Sequence, residues 1–376
     1  MRIGIDCRSL QEPEPSGVSL YTKELVRALV RLPDASEHTF VLFMNGSQLR
    51  RQPEWLLQLQ QEIGNERVEW RVKTWSNKLL KLTEVLFSLP TTRWMFGEVD
   101  VVIVPTIDFY PLRANAGPPI LLTIHDLSFE RYANCLTLKG RLWHRLLRPR
   151  KFVHRAAQVM AVSDHTASDV ETIYGINKEK ITTVYPGMPP AQGHAKGSID
   201  PPERFILSLG TLEPRKNIPT LIQAFDMLAQ EHPDVHLVIA GGVGWKSTAL
   251  RTAIQQRERV HYFGYINEAT KQYLLERAEM FVYPSLYEGF GFPPLEAARH
   301  GTPVIVGAHS SLPEVLGNSA LYVDVLDADS LRRGMNHLLT DQALRETLIE
   351  KGKKNVERFD WVDTAQQTLD ILKSLV

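Results

Sequence analysis

Met280-Phe-Val-Tyr-Pro-Ser-Leu-Tyr-Glu-Gly-Phe-Gly-Phe-Pro-Pro-Leu-Glu-Ala-Ala-Arg299 reads as a buried strand, a turn and a helix in succession. Residues 280–282 are an apolar run fit for a strand, and 295–299 have helical character. Between them Glu288 and Glu296 flank a turn of Gly289, Phe290 and Gly291, followed by Phe292, Pro293 and Pro294. A carboxylate at a strand end, bare glycine amides and a second carboxylate entering a helix suit a polyhydroxylated ligand. Carboxylates accept hydrogen bonds from hydroxyls, and glycines let the main chain come close. The start of the helix is expected to turn its N–H groups toward an anion.

The same strand-then-helix rhythm extends outward in both directions. Strands are expected over 3–6, 40–44, 99–104, 120–124, 159–162 and 181–185, with a helix over 19–32. It restarts with strands over 205–209, 235–240, 260–263, 303–306 and 320–323 and a helix over 218–230. Strands alternating with helices imply parallel βαβ units with helices on both sheet faces. Between the two series, 188–203 is rich in proline and glycine and lacks apolar periodicity, the mark of a linker. The fold class expected is α/β, with two doubly wound Rossmann-like domains at 1–187 and 204–358. Their ligands are expected at the carboxyl ends of the strands, facing an interdomain cleft. The apolar run 79–89 reads as a core helix.

A chain of 376 residues is too long for one ordinary core, which agrees with two domains. Lys plus Arg and Asp plus Glu number 43 each, so overall charge gives no reason to expect nucleic acid. Cys7 and Cys135 are far apart and without metal-ligand spacing; reduced thiols in a cytosolic protein are expected. The chain enters a strand pattern at Met1-Arg-Ile-Gly-Ile-Asp6 without a signal-like apolar run, and no segment has the length of a transmembrane helix.

Two further constellations sit where strands meet helices. Gly210-Thr-Leu-Glu-Pro-Arg-Lys-Asn217 puts Arg215 and Lys216 at a helix start, where a guanidinium and an ammonium suit a diphosphate. A solvated basic turn is the plainer reading of that segment alone. In the first domain, Ser16-Gly17 joins the first strand to the first helix, and His125-Asp126 closes an apolar strand. A single histidine is more often structural than catalytic, but this one is expected at a strand's carboxyl end.

These segments resemble the retaining, nucleotide-sugar-dependent glycosyltransferases of the GT-B fold, in the family-4 group that includes mannosyltransferases and glucosyltransferases. The resemblance is carried by Ser16-Gly17-Val-Ser-Leu-Tyr21, Thr123-Ile-His-Asp-Leu127, Val162-Ser-Asp-His165, Val184-Tyr-Pro-Gly187, Gly210 to Asn217, Ser285 to Glu296 and Ser311-Leu-Pro-Glu-Val315. Phe359-Asp-Trp361 looks like the family's closing helix start, which implies that 359–376 returns to the first domain.

The resemblance implies that Glu296 binds the ribose hydroxyls and that Glu288 faces the transferred sugar and the reacting centre. It implies that the amides of Gly289, Phe290, Gly291 and Phe292 hold sugar hydroxyls. Arg215 and Lys216 would neutralise the diphosphate, Gly17 would leave room for the phosphates, and His125 would contact the sugar or acceptor side. Gly264 and Tyr265 match the position that cups the base. The donor implied by the likeness of Leu212 to Asn217 to mannosyltransferases is GDP-mannose, and the acceptor a glycan or lipid-linked glycan of a surface polysaccharide. Two departures stand out: Ser16 precedes Gly17 where many relatives have a second glycine, and Thr211 replaces a basic residue. The second places the diphosphate charge on Arg215 and Lys216 together.

No metal or other cofactor is expected. Asp327-Ala-Asp329 has a metal–diphosphate spacing, but its place just before Ser330 fits a helix cap better. Residues 139–155 carry Lys139, Arg141, Arg145, Arg148, Arg150, Lys151 and Arg155 with no acidic residue, interleaved with Leu142, Trp143, Leu146, Leu147 and Phe152. This pattern fits either a membrane-surface helix at the inner face of the plasma membrane or a domain helix that buries its Leu/Trp face. Other readings of the chain are a UDP-sugar-dependent glucosyl- or galactosyltransferase, a nucleotide-sugar epimerase, and a non-catalytic nucleotide-sugar-binding protein. A dinucleotide dehydrogenase is disfavoured because no Gly-x-Gly-x-x-Gly follows the first strand.

Overall fold

The protein was analysed as a computed structural model that describes residues 1–376 except 12–15, 52–53, 65, 78–79, 81–82, 84–88, 90, 109–116 and 190–198. Most of the expected helix over 79–89 and most of the linker over 188–203 lie outside the described residues. Two compact units emerge. One comprises Met1–Leu127, Gly140–Pro189 and Phe359–Val376, and the other Ser128–Lys139 and Pro190–Arg358.

In the first unit, seven parallel strands run in the order β3-β2-β1-β4-β5-β6-β7. They are β1 (Arg2–Asp6), β2 (Thr39–Asn45), β3 (Val68–Lys73), β4 (Val101–Val104), β5 (Ile120–Ile124), β6 (Gln158–Ala161) and β7 (Ile181–Thr183). The central β4 and β5 are near-continuous Val, Ile and Leu runs, because a strand covered by helices on both faces has no side to leave polar. β3 was not expected from the sequence. It is an edge strand whose Glu69 pairs with Arg2 at 2.6 Å and with Arg71 at 2.5 Å, and its charges break the apolar run. β4 begins two residues later than the sequence suggests, since the Asp100 carboxylate accepts the Arg2 backbone N–H at 2.7 Å and stays outside the ladder.

The helix Gly17–Arg31 starts with a reciprocal cap between Ser16 and Ser19 and buries Tyr21, Leu25, Val26 and Leu29. Against it packs the last helix, Trp361–Leu375, with the Trp361 ring 5.5 Å from that of Tyr21. The returning chain is fastened by Thr364 Oγ1, which donates to the Tyr185 carbonyl at 2.8 Å, and by the Met188 N–H, which donates to the Phe359 carbonyl at 3.0 Å. Gly187 lies under this crossing. A Cβ there would sit 2.3 Å from the Trp361 nitrogen, so no larger residue fits.

In the second unit, six parallel strands run in the order β10-β9-β8-β11-β12-β13. They are β8 (Phe205–Leu209), β9 (His236–Ala240), β10 (Val260–Tyr262), β11 (Met280–Tyr283), β12 (Val304–Gly307) and β13 (Ala320–Val323). The core beneath the sheet joins Ile206, Leu237, Ile239, Met280, Val282 and Ile305 to Leu221, Phe225 and Leu228 of the helix Ile218–Glu231. Strand order reverses between β8 and β11, which pair through Met280–Ile206 and Phe281–Leu207. This reversal sets the loops after Leu209 and Tyr283 side by side, the switch-point geometry at which doubly wound sheets bind ligands. In the first unit the equivalent reversal lies between β1 and β4.

Candidate active site

The loop after β8 makes a short 3-10 turn, Pro214–Lys216, and then Asn217 takes a left-handed conformation with φ of 53° before the helix Ile218–Glu231 begins. Asn217 holds that bend by donating to the Val325 carbonyl and accepting from the Thr220 hydroxyl, both at 2.7 Å. Arg215 and Lys216 thereby reach the loop after β11.

Lys216 Nζ stands 2.6 Å from Glu288 Oε1, and Arg215 Nη1 stands 3.0 Å from the same oxygen. Arg215 Nη2 pairs with Glu213 Oε1 at 2.6 Å, and Nη1 donates to the Tyr287 carbonyl. Lys216 also donates to the Tyr283 hydroxyl at 2.5 Å, with its ammonium 4.8 Å from the centre of that ring. The Ser285 hydroxyl donates to Glu288 Oε1, and the Glu288 N–H donates to Ser310 Oγ at 3.2 Å. Ser311 Oγ bonds the carbonyls of Glu288 and Phe290 at 3.0 and 2.9 Å.

All of these side chains are largely buried, which sets their protonation. Burial alone would raise the Glu288 carboxyl, but Arg215 and Lys216 outweigh it and bring its pKa down to about 2. Burial pushes Lys216 down, opposed by Glu288 and reinforced by Arg215. Burial raises the Tyr283 phenol well above its ordinary value, and Glu288 adds to that. Glu288 is therefore an ionised acceptor at neutral pH and not a proton donor. The cations are less bare than the sequence suggests, since Glu213 and Glu288 balance them charge for charge. An ammonium has three N–H donors, and the Lys216 contacts to Tyr283 and Glu288 use two of them, which leaves one for a phosphate oxygen.

Glu296 lies on the helix Phe292–Arg299 and pairs through Oε1 with Lys271 Nζ at 2.7 Å. Lys271 also meets Glu268 at 2.9 Å. Burial lowers the Lys271 pKa, but Glu296 and Glu268 more than compensate, so it is raised. Gly291 enters this helix with φ of 104°, a conformation only glycine takes at ease. Pro293 and Pro294 have no N–H, so they add no main-chain donors at this helix start beyond the stretch Gly289 to Phe292 expected from the sequence.

The remaining expected residues fall elsewhere. Gly264 has φ of 65° after β10 and accepts the Gly241 N–H at 2.7 Å, and Tyr265 beside it is half exposed. In the first unit, Gly17 opens its helix with no atom within 4 Å of where a Cβ would be. His125 Nε2 lies 2.7 Å from the Pro105 carbonyl, so that nitrogen carries the hydrogen. Its ring meets Tyr21 edge-on at 4.7 Å, and burial lowers its pKa. Asp327 caps the helix Ala328–Thr340 by accepting the Asp329 N–H at 3.0 Å, as expected.

The sequence reading missed Lys271, Tyr283, Ser285, Ser310 and Ser311, and left Glu213 without a role. Lys271 had one available signal, its position three residues after Glu268 on a helix; the others act through loop geometry. It also missed a cavity of about 410 Å³ at the β1/β4 reversal, lined by Asp6, Arg8, Asn45, Asn77, Asp108 and Trp143 among others. There Arg8 Nη2 grips Asp6 Oδ2 at 2.7 Å, and Asn45 donates to Asn77 at 2.7 Å.

Residues 139–155 form two helices, Leu138–Leu147 and Pro149–Arg155, separated by Arg148 in a left-handed conformation ahead of Pro149. Leu142, Trp143 and Leu146 are 59, 42 and 43% exposed, so the first helix leaves much of its apolar face uncovered. Among the described residues no helix is long and apolar enough to cross a membrane.

Comparison with known proteins accounts for nearly the whole chain. The family described as Glycosyltransferase Family 4 matches residues 15–192, and that described as Glycosyl transferases group 1 matches residues 192–355. The chain is 37% identical over 175 residues to O-antigen chain mannosyltransferase B of Escherichia coli, covering 46% of each protein. It thus spans about half the length of that relative. It is 26% identical over 281 residues to MMP α-(1→4)-mannosyltransferase of Mycolicibacterium hassiacum, covering 70% of this chain and 67% of that one. Sucrose-phosphate synthase from Thermosynechococcus elongatus shares the fold, with a TM-score of 0.75 at 19% identity over 100% of this chain and 98% of that one.

Proposed function

The chain belongs to the family-4 glycosyltransferases of GT-B fold, and we propose that it is a retaining hexosyltransferase that moves mannose from GDP-mannose to a glycan or lipid-linked acceptor in surface polysaccharide synthesis. The observation that carries this reading is the convergence of Arg215 and Lys216 on Glu288 at the β8/β11 reversal. The mannosyl choice is supported by the names of the Escherichia coli and Mycolicibacterium relatives.

As the bond between the anomeric carbon and the diphosphate oxygen breaks, negative charge gathers on the leaving phosphate. The positive charges of Arg215 and Lys216 stabilise it, and preorganised groups do so without reorganising at the moment of reaction. Ionised Glu288 accepts hexose hydroxyls and stabilises the positive charge at the anomeric carbon. Glu296, oriented by Lys271, takes the ribose hydroxyls, and Gly264 with Tyr265 cups the base. The acceptor hydroxyl bonds the anomeric carbon on the face the diphosphate leaves and passes its proton to the departing phosphate oxygen, which retains configuration. No metal is assigned a step. The polar cavity at the β1/β4 reversal is the acceptor-side pocket, and 139–155 rests on the inner face of the plasma membrane.

A thermal-shift screen of GDP- and UDP-sugars tests the donor, because a ligand that binds only the folded state raises the melting temperature. Selective stabilisation by GDP-mannose, followed by transfer to a saccharide acceptor with the anomeric configuration kept, is the expected result. Selective stabilisation by a UDP-sugar would overturn the mannosyl assignment. Epimerised donor with no glycoside product, or binding without turnover on any acceptor, would overturn the transferase.

A further inference from the structure

We propose that Tyr132 is a positioning residue for Glu288, a role that rests on the transferase reading of the site. Glu288 stands at the end of a short loop after β11, and its carboxylate can serve the reaction only if the peptide leading into it is fixed. The Leu286 peptide is clamped from two sides. Its N–H donates to the Arg215 carbonyl at 2.8 Å, and its carbonyl accepts the Tyr132 hydroxyl at 3.0 Å. The Tyr132 ring also lies 5.7 Å from that of Tyr287, the residue whose carbonyl holds Arg215.

Packing replaces this clamp only in part: the Leu286 side chain rests against the core of the second unit, but open space adjoins it. A cavity of about 630 Å³ borders the loop, lined by Leu286 and Tyr132 together with His309, Tyr322 and Leu326. A Leu286 carbonyl without its Tyr132 partner has open space into which to move, and the loop leading to Glu288 would loosen with it. Close packing normally holds catalytic groups to within a fraction of an ångström; here the Tyr132 hydroxyl adds to the restraint that the Arg215 carbonyl places on the Leu286 N–H and Ser310 on the Glu288 N–H.

Tyr132 is itself held independently of the bond it makes. It belongs to the segment Ser128–Lys139, which groups with the second unit although it follows β5 in the chain. Trp245 Nε1 donates to the Cys135 carbonyl at 2.8 Å, and Lys246 Nζ donates to the Asn134 carbonyl at 2.9 Å. Lys246 adopts φ of 56°, an unfavoured conformation for a lysine that the surrounding contacts sustain. Removing the Tyr132 hydroxyl therefore leaves the segment anchored and frees only the Leu286 carbonyl.

Tyr132→Phe in the full chain is the test, with transfer kinetics, thermal melting and amide exchange measured side by side. The expected result is a kcat lower by roughly three- to tenfold, as for loss of one net hydrogen bond, with donor KM within about twofold. The melting temperature is expected to stay near that of the unaltered chain, while the Leu286 amide exchanges faster. Unchanged kcat and exchange would overturn the role. So would a raised KM with kcat kept, or an activity loss matched by a lost folded fraction. Glu288→Gln run in parallel separates the two levels. If it keeps full turnover, the transferase reading of Glu288 fails; if it is inactive while Tyr132→Phe is unaffected, only the tyrosine's role fails.

Discussion

Lys216 and Glu288 stand 72 positions apart in the chain, yet their charged atoms meet at 2.6 Å because β8 and β11 are neighbours across the sheet's reversal. The pair is buried, and Arg215 shares the same carboxylate oxygen. Each of the three charges is thus held in place before any ligand arrives, the condition under which electrostatic stabilisation of a transition state is effective.

In the proposed reaction Lys216 is one of two cations that face the leaving phosphate, and Lys216→Ala removes it. Turnover is expected to fall by about 10²–10³, the usual cost of losing a preorganised donor, with donor affinity weakened as well. Lys216→Arg restores charge but not shape, since a planar fork does not reproduce the single ammonium held between Tyr283 and Glu288. It is expected to recover only part of the rate. Steady-state kinetics with both variants decides the matter, and unaltered constants for the alanine variant would remove Lys216 from the chemistry.

The Glu288 carboxyl also makes stability depend on acid. Its pKa is lowered from 4.5 to about 2 in the folded chain. A depressed carboxyl contributes stability that is fully present above its unfolded value and is lost as pH falls through the folded one. The window is therefore about pH 5 down to about 2, and at about 1.4 kcal/mol per pKa unit the contribution is on the order of 3 kcal/mol. Glu288→Gln is expected to be less stable than the unaltered chain at pH 7, with the gap narrowing below about pH 5 and closing only near pH 2. Denaturant melts across that range measure the gap; a gap that does not narrow would show that the carboxylate is not held ionised by its cations.

Legibility in the sequence followed the physics of each feature. β8 and the strand over 120–124 could be read to the residue, because strands buried on both faces are nearly unbroken apolar runs. The partly buried edge strand over 320–323 could be read because it carries no charge. β3 was invisible, because an edge strand tolerates Glu69, Arg71 and Lys73. The two glutamates and the basic pair were legible from their placement beside glycine and proline turns. Their mutual neutralisation was not, since Glu213, Arg215, Lys216 and Glu288 meet only through strand order. Nor could the sequence show that Tyr132 leaves the β5 side of the chain to bond Leu286.

Glu296→Gln keeps the shape of the side chain but loses its charge and with it the ion pair to Lys271. Charge-assisted hydrogen bonds contribute about 1.5–3 kcal/mol, so the donor KM is expected to rise about 10- to 100-fold with a smaller change in kcat. Lys271→Met is the companion variant, since it leaves the carboxylate in place but unanchored, and it is expected to give a weaker effect in the same direction. Unchanged KM in both, accompanied by a fall in melting temperature, would mean that the Lys271–Glu296 pair serves the fold alone.

The sequence left the basic stretch 139–155 between two readings, a surface-seeking helix and a domain helix with its apolar face buried. The exposure of Leu142, Trp143 and Leu146 beside the exposed Arg145 and Arg148 favours the first. An apolar face in water is costly unless something covers it, and interleaved arginines complement an anionic lipid surface. Basic residues near such a surface contribute about 1 kcal/mol each, so replacing Arg145 and Arg148 by Glu is expected to weaken binding to phosphatidylglycerol-containing vesicles by at least about 30-fold. Replacing Leu142 and Leu146 by Ser is expected to weaken it too, and to do so even at high salt, where the arginine contribution is screened. Vesicle co-sedimentation at low and high salt separates the two contributions. Equal sedimentation of the unaltered chain with anionic and neutral vesicles would sink the electrostatic half of the argument, and its absence with both would sink the whole.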